Sequence, residues 1–194
     1  MSAIEKFHFI NNAVIGGRSS GLDTMYSKIS REIYLAQDKH SKHIVIDNMI
    51  SKLKEKLPNK EQFESKIDSR LYFSSSNTKQ KKLVQYVLKK IEYEKQNYNV
   101  ELINISLEHI YPEKFDKYWS RIELKYIQSI GNLVLLDKNI NSEIGDKLYI
   151  DKKSVILDKS TLITTKEVFE KNEQWTIEEI KNRKSELVGI LYEL

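Results

Sequence analysis

Apolar residues recur at helical spacing through the first half of the chain. Leu22, Met25, Tyr26, Ile29 and Ile33 fall at i, i+3, i+4, i+7 and i+11, behind a loop over residues 16–21 whose serines offer N-caps. Ile46, Met49, Ile50, Leu53 and Leu57 repeat the pattern up to Pro58, which stops it because proline lacks the N–H that a helix interior needs. After Thr78, Leu83, Val84, Val87, Leu88 and Ile91 make a third amphipathic stretch. Residues 1–97 are therefore predicted to be an all-helical region.

The period changes at Val100. Ile103, Ile105, Leu107 and His109 alternate with Asn104, Ser106 and Glu108, which is the two-residue repeat of a strand, and Pro112 ends its pairing. Phe115, Tyr118, Trp119, Ile122, Tyr126 and Ile130 predict a return to helix before Gly131, and residues 132–136 (NLVLL) read as a second strand. After Asn141 the apolar Ile144, Leu148, Val155 and Ile156 read as one helical stretch. Thr176 and Glu179 form a capping box ahead of a final helix with Ile180, Leu187, Ile190, Leu191 and Leu194 on its apolar face. The expected fold is mainly α with a small β-hairpin. A second domain is expected over 98–194, with its core over about 100–158 and its last helix over about 175–194.

Composition narrows the chemistry. The chain has 194 residues, 40% of them hydrophobic, which is enough for a sizeable core, and only two prolines and six glycines, which excludes a coil-rich fold. Zero cysteines exclude a disulfide framework, thiolate catalysis and every cysteine-ligated zinc site, so any metal must bind through oxygen or nitrogen. No stretch approaches the roughly 20 apolar residues of a transmembrane helix. Glu5, Lys6 and His8 stand where a signal peptide would be apolar, so a cytoplasmic chain with no membrane partner is expected. The net charge of +4 permits a nucleic-acid partner without demonstrating one.

Four histidines are present. His40 and His43 sit three apart, but Asp38, Lys39, Ser41 and Lys42 around them read as a solvated helix junction. His109 ends a strand, follows Glu108 and precedes Pro112. Asn132 opens the second strand, and Asn141 follows nine residues later. In that order, His109, Asn132 and Asn141 resemble the HNH nuclease motif in its variant with asparagine in third place, a β-hairpin and helix around one divalent metal (the His-Me finger, or ββα-metal, core). More closely, SLEHIYP, IGNLVLLDKNINSEIGDK, Trp175 and Arg183 resemble the C-terminal HNH domain of the GmrSD family of modification-dependent restriction endonucleases. FHFINNAVIGGRSS and KKLVQYVLKKIEYE are similar to the helical region preceding it. The resemblance implies a DNA endonuclease serving restriction or anti-phage defence. The family's N-terminal nucleotide-dependent domain, with its Asp-Gly-Gln-Gln-Arg type motif, has no counterpart here. Such a domain or subunit is an expected partner, and nucleotide hydrolysis is not carried over.

The residue types suit phosphodiester hydrolysis, which needs a base for water, a cation for developing charge and a scaffold to align them. His109 is the candidate base, since an imidazole with an ordinary pKa of about 6.5 accepts a proton near neutrality. Glu108 and Asn141 offer hard oxygen ligands suited to Mg2+ or Mn2+. Asn132 either orients the His109 imidazole or ties the loop together through its amide. Neighbours in a flat strand point to opposite faces, so Glu108 and His109 reach one site only at a bulge or strand end. Lys147, Lys152 and Lys153, following Asn141, are candidate DNA-phosphate contacts, with Lys79, Lys81, Lys82, Lys89 and Lys90 as the rival cluster. Trp175 and Arg183 read as packing residues. Two other readings stay open: a catalytically silent nucleic-acid-binding module, and a helical protein-interaction domain in which His109 is structural.

Overall fold

The computed structural model describes residues 1–97, 101–114 and 119–194. The expected strand start at Val100 and the helical positions Phe115 and Tyr118 lie outside the described residues. The chain divides into two compact units, Met1–Ile67 with Leu194, and Asp68–Glu193.

In the first unit, α1 (Ala3–Phe7) starts at a capping box in which Ser2 and Glu5 exchange side-chain-to-backbone hydrogen bonds. It runs into a wider π-helical stretch over His8–Ile15. The start of α2 (Leu22–Leu35) is Gly21 at φ 82°, rather than one of the expected serines, because a left-handed entry favours glycine. Asp38 caps α3 (Lys39–Glu55), which ends ahead of Pro58 as the sequence predicts. Phe7, Leu22 and Leu53 form the buried centre, flanked by Met25, Tyr26, Met49 and Leu57. A further helix, α4 (Lys60–Arg70), went unforeseen because Phe63 and Ile67 are its only buried residues, too few to set a period.

The second unit takes in the last turn of α4 and the segment after it, continues with α5 (Lys81–Lys95) and is organised on a two-stranded antiparallel ribbon, β1 (Ile105–His109) and β2 (Leu133–Asp137). Pairing is one-to-one from Ile105 opposite Asp137 to His109 opposite Leu133, without a bulge. β2 has no solvent face: Leu133, Val134, Leu135 and Leu136 are all buried, which is why its sequence is a continuous apolar run rather than an alternation. Val134 and Leu136 join Ile140, Ile144, Tyr149 and Ile156 in the main core, while α5 and α9 (Ile163–Lys171) also pack on β2. The buried Glu92 carboxylate of α5 accepts the first N–H groups of α9, from Ile163 at 2.8 Å and Thr164 at 2.9 Å, in place of a local cap.

Three expectations need correction. The strand starts only at Ile105, because Asn104 sits at φ 54° and breaks the extended run. Residues 119–123 are not helical, and the helix before Gly131 shrinks to one turn, α6 (Leu124–Ile127), followed by a 3-10 turn over Ile130–Asn132. The single helical stretch expected after Asn141 is two helices, α7 (Lys138–Ile144) and α8 (Tyr149–Lys159), separated by Gly145 at φ 47°. The last helix, α10 (Ile177–Glu193), follows the Thr176–Glu179 capping pair as predicted. Among the described residues no helix is long and apolar enough to cross a membrane.

Candidate active site

His109 closes β1, and its ring meets a segment that precedes α5. Its Nε2 lies 3.0 Å from the carbonyl oxygen of Phe73. A carbonyl only accepts, so Nε2 carries the proton and Nδ1 is left with the lone pair. The Phe73 ring stacks on the imidazole at 5.4 Å and 16°. Burial pushes the His109 pKa below the usual imidazole range. The Phe73 carbonyl and the Glu113 carboxylate, 3.8 Å from Nε2, oppose that shift, and Lys152 adds to it. Glu113 also accepts the Ser75 N–H at 2.9 Å, which pins the residues after α4 against the histidine.

Glu108 points to the other face. With no bulge, strand alternation sends Ser106 and Glu108 toward α7 and α8, and His109 away from them. There the Lys152 ammonium of α8 sits 2.7 Å from Glu108 Oε1, 3.2 Å from the His109 carbonyl and 3.4 Å from that of Ile110. Lys152 is 0% exposed. Its expected role as a phosphate contact is thereby corrected: it shares the inward face of α8 with Tyr149 and Ile156 and cannot reach a duplex. Lys153 is also spent within the protein, its ammonium lying 3.0 Å from the Asn172 carbonyl and 2.8 Å from Glu173. Of the three lysines only Lys147 is exposed. Burial pushes the Glu108 carboxyl pKa up, against the pull of Lys152.

Asn141 lies within α7 and turns its Nδ2 to Ser106 Oγ at 2.9 Å and to the Leu107 carbonyl at 3.5 Å. Its donor end is thus fixed on the strand, on the Ser106 and Glu108 face, and Oδ1 is the atom with lone pairs to offer. The Glu108 carboxylate and the Asn141 amide oxygen are hard donors. Among the described residues no three His, Cys, Asp or Glu side chains cluster as a metal cage. Oxygens of this kind suit Mg2+ or Mn2+, which keep several waters and substrate oxygens as ligands, although Glu108 Oε1 is already held by the Lys152 ammonium at 2.7 Å.

Asn132 is fully buried and touches the loop rather than the imidazole. Its Oδ1 accepts the Tyr111 N–H at 2.8 Å and the Trp175 indole N–H at 2.9 Å, while Nδ2 donates to the carbonyls of Tyr111 at 2.8 Å and Ile127 at 2.9 Å. All four valences are used. Arg183 of α10 donates to the carbonyls of Ile130, Gly131 and Leu133 at 3.2, 2.8 and 2.7 Å. Burial lowers the Arg183 pKa to about 10. Gly131 lets α10 come this close, since a Cβ there would stand 2.2 Å from the Ile180 carbonyl oxygen. Trp175 and Arg183 therefore brace the turn that carries Asn132. Sequence reasoning missed Phe73, whose contact to His109 is tertiary, and Glu113, which stands only four positions after the histidine. The burial of Lys152 had a signal, its spacing of three from Tyr149 and four from Ile156.

The sequence model of one protein family, GmrSD restriction endonucleases, C-terminal domain, matches residues 58–190. No individually curated protein matches the sequence.

Proposed function

Because the chain belongs to the family of GmrSD restriction endonucleases, C-terminal domain, we propose that it is an HNH-type, metal-dependent DNA endonuclease, the effector of a cytoplasmic restriction or anti-phage system directed at modified DNA. Family membership implies nuclease activity and a DNA substrate. The observation that carries the finer reading is the 3.0 Å contact of His109 Nε2 with the Phe73 carbonyl, which assigns the proton to Nε2 and leaves Nδ1 as the proton acceptor. The succession β1, β2, α7 supports an HNH core, with His109 at the end of its first strand and Asn141 in its helix.

On this reading residues 98–194 carry the reacting groups, and the preceding helical region contributes Phe73 and its segment. His109 Nδ1 takes the proton from the attacking water. Its lowered pKa keeps the ring neutral, and so competent as a base, at pH 7. Glu108 and Asn141 Oδ1 would hold the divalent ion, which when bound supplies charge neutralisation at the scissile phosphate and leaving oxygen. Asn132 positions the loop after His109 and does not react. An N-terminal nucleotide-dependent domain or subunit remains the proposed partner.

The test is plasmid nicking with and without Mg2+ or Mn2+, on the wild type and His109→Ala. The variant should lose about 10²- to 10⁴-fold in rate while binding DNA as before. A variant that cleaves as fast as the wild type would sink the assignment of the base. The competing reading, a silent DNA-binding module, draws on the Lys152 ammonium against Glu108. It requires that the wild type bind DNA and cut nothing with either ion.

A further inference from the structure

With Lys152 and Lys153 held within the protein, basic charge beside His109 comes from the start of α5. The Lys81 ammonium lies 5.4 Å over the Phe73 ring. That same ring stacks at 5.4 Å on the His109 imidazole, and the Phe73 carbonyl holds its Nε2. Lys81 and the candidate base thus both lie against one aromatic side chain, Phe73. Lys79 and Lys82 flank it, both exposed. The first turn of α5 holds no acidic residue, and no side chain caps it. The helix dipole therefore adds to the lysine charges instead of being cancelled locally. The carboxylate beside His109, Glu113, is engaged by the Ser75 N–H.

We propose that Lys81, with Lys79 and Lys82, forms the backbone-binding site that holds a DNA strand next to His109. The inference rests on the nuclease reading above and adds to it which residues carry the substrate. The ligand is the sugar–phosphate backbone of a duplex, recognised by charge and not by sequence, since phosphate contacts position a protein on DNA without reading bases. Lys81 also packs its ammonium on Phe73, so the contact that binds phosphate is mechanically linked to the residue that fixes the imidazole tautomer.

The experiment measures affinity for a fluorescein-labelled duplex by anisotropy, in EDTA so that nothing is cut, across a salt series. Wild type, Lys79→Ala/Lys81→Ala/Lys82→Ala, the matching triple arginine variant and Lys147→Ala are compared, with tryptophan fluorescence confirming the fold. Each lysine engaged with a duplex phosphate contributes about 0.9 to the slope of log affinity against log salt. The triple alanine variant should bind more weakly on every sequence tried, with a slope smaller by about 0.9 for each lysine engaged, and the arginine variant should keep the wild-type slope. An unchanged slope in the triple alanine variant, with wild type binding and cleaving DNA, overturns this inference and leaves the nuclease reading standing. Wild type that neither binds nor nicks DNA overturns both.

Discussion

Replacing Asn132 by alanine tests whether this residue acts as a brace or as a reacting group. The substitution removes four buried hydrogen bonds of 2.8 to 2.9 Å. Two donors, the Tyr111 N–H and the Trp175 indole N–H, lose their acceptor. Two carbonyls, of Tyr111 and Ile127, lose a donor, although each keeps a second lone pair. A buried donor left unsatisfied costs about 1–3 kcal/mol. The two donors therefore dominate, and the expected destabilisation is about 2–6 kcal/mol, with a water entering the vacated space holding it to the lower end. Against a total stability of about 5–15 kcal/mol this is a large fraction. Urea denaturation followed by tryptophan fluorescence isolates the effect, because both tryptophans, Trp119 and Trp175, lie in the second unit. Asn132→Asp sharpens the test. It keeps the accepting oxygen but turns another oxygen toward two carbonyls, so its buried carboxyl is pushed above the usual carboxylate range. The folded form then binds the proton more tightly than the unfolded one, and this variant should lose stability as pH rises above about 4. Cleavage abolished in Asn132→Ala with an unchanged unfolding midpoint would refute the argument and return Asn132 to the chemistry.

Glu108→Ala and Asn141→Ala should each raise the metal concentration needed for half-maximal nicking, and excess metal should recover part of the rate; calorimetric titration giving wild-type metal affinity in both would remove them as ligands. The pH dependence should follow His109: its folded-state pKa is lowered, chiefly by burial, so the unfolded chain takes up the proton first as pH falls below about 6.5. Its contribution to stability is therefore complete above that value and is lost on acidification, even with Glu113 opposing the shift and Lys152 reinforcing it. The difference in unfolding free energy between wild type and His109→Gln should be flat above about pH 7 and shrink below it, and a difference independent of pH would contradict the burial argument.

The elements that proved legible were those whose period is local. Leu22 to Ile33, the run ending at Pro58 and Leu83 to Ile91 each carry enough apolar repeats to fix a helix, and the alternation through Ser106, Leu107, Glu108 and His109 fixes the strand. What escaped depended on tertiary partners. The first turn of α9 is satisfied by Glu92 from α5, more than 60 positions earlier, so no cap stands in its own sequence. The break between α7 and α8 falls at one glycine, Gly145, with positive φ. In the candidate site the order His109, Asn132, Asn141 was readable, but the hold on His109 comes from Phe73, which nothing near His109 announces.

Lys152 was misplaced for a more specific physical reason, which lies in the geometry of a two-stranded ribbon. The Ile110 N–H donates to the Asn132 carbonyl, toward β2. By the alternation of an antiparallel ladder, the carbonyls of Leu107 and His109 then point outward, where no third strand pairs with them among the described residues. An edge of unpaired carbonyls must be satisfied by other means. Here Asn141 Nδ2 serves Leu107 and the Lys152 ammonium serves His109, so α7 and α8 close the edge with side chains. A lysine suits this position because its single cation answers the outward His109 carbonyl, the Ile110 carbonyl just past the strand end and the Glu108 carboxylate together, which offsets the cost of burying both charges. It follows that Asn141 and Lys152 are structural partners of the strand end as well as neighbours of the chemistry. Loss of metal binding in Asn141→Ala counts toward a ligand role only once its unfolding midpoint has been compared with that of the wild type.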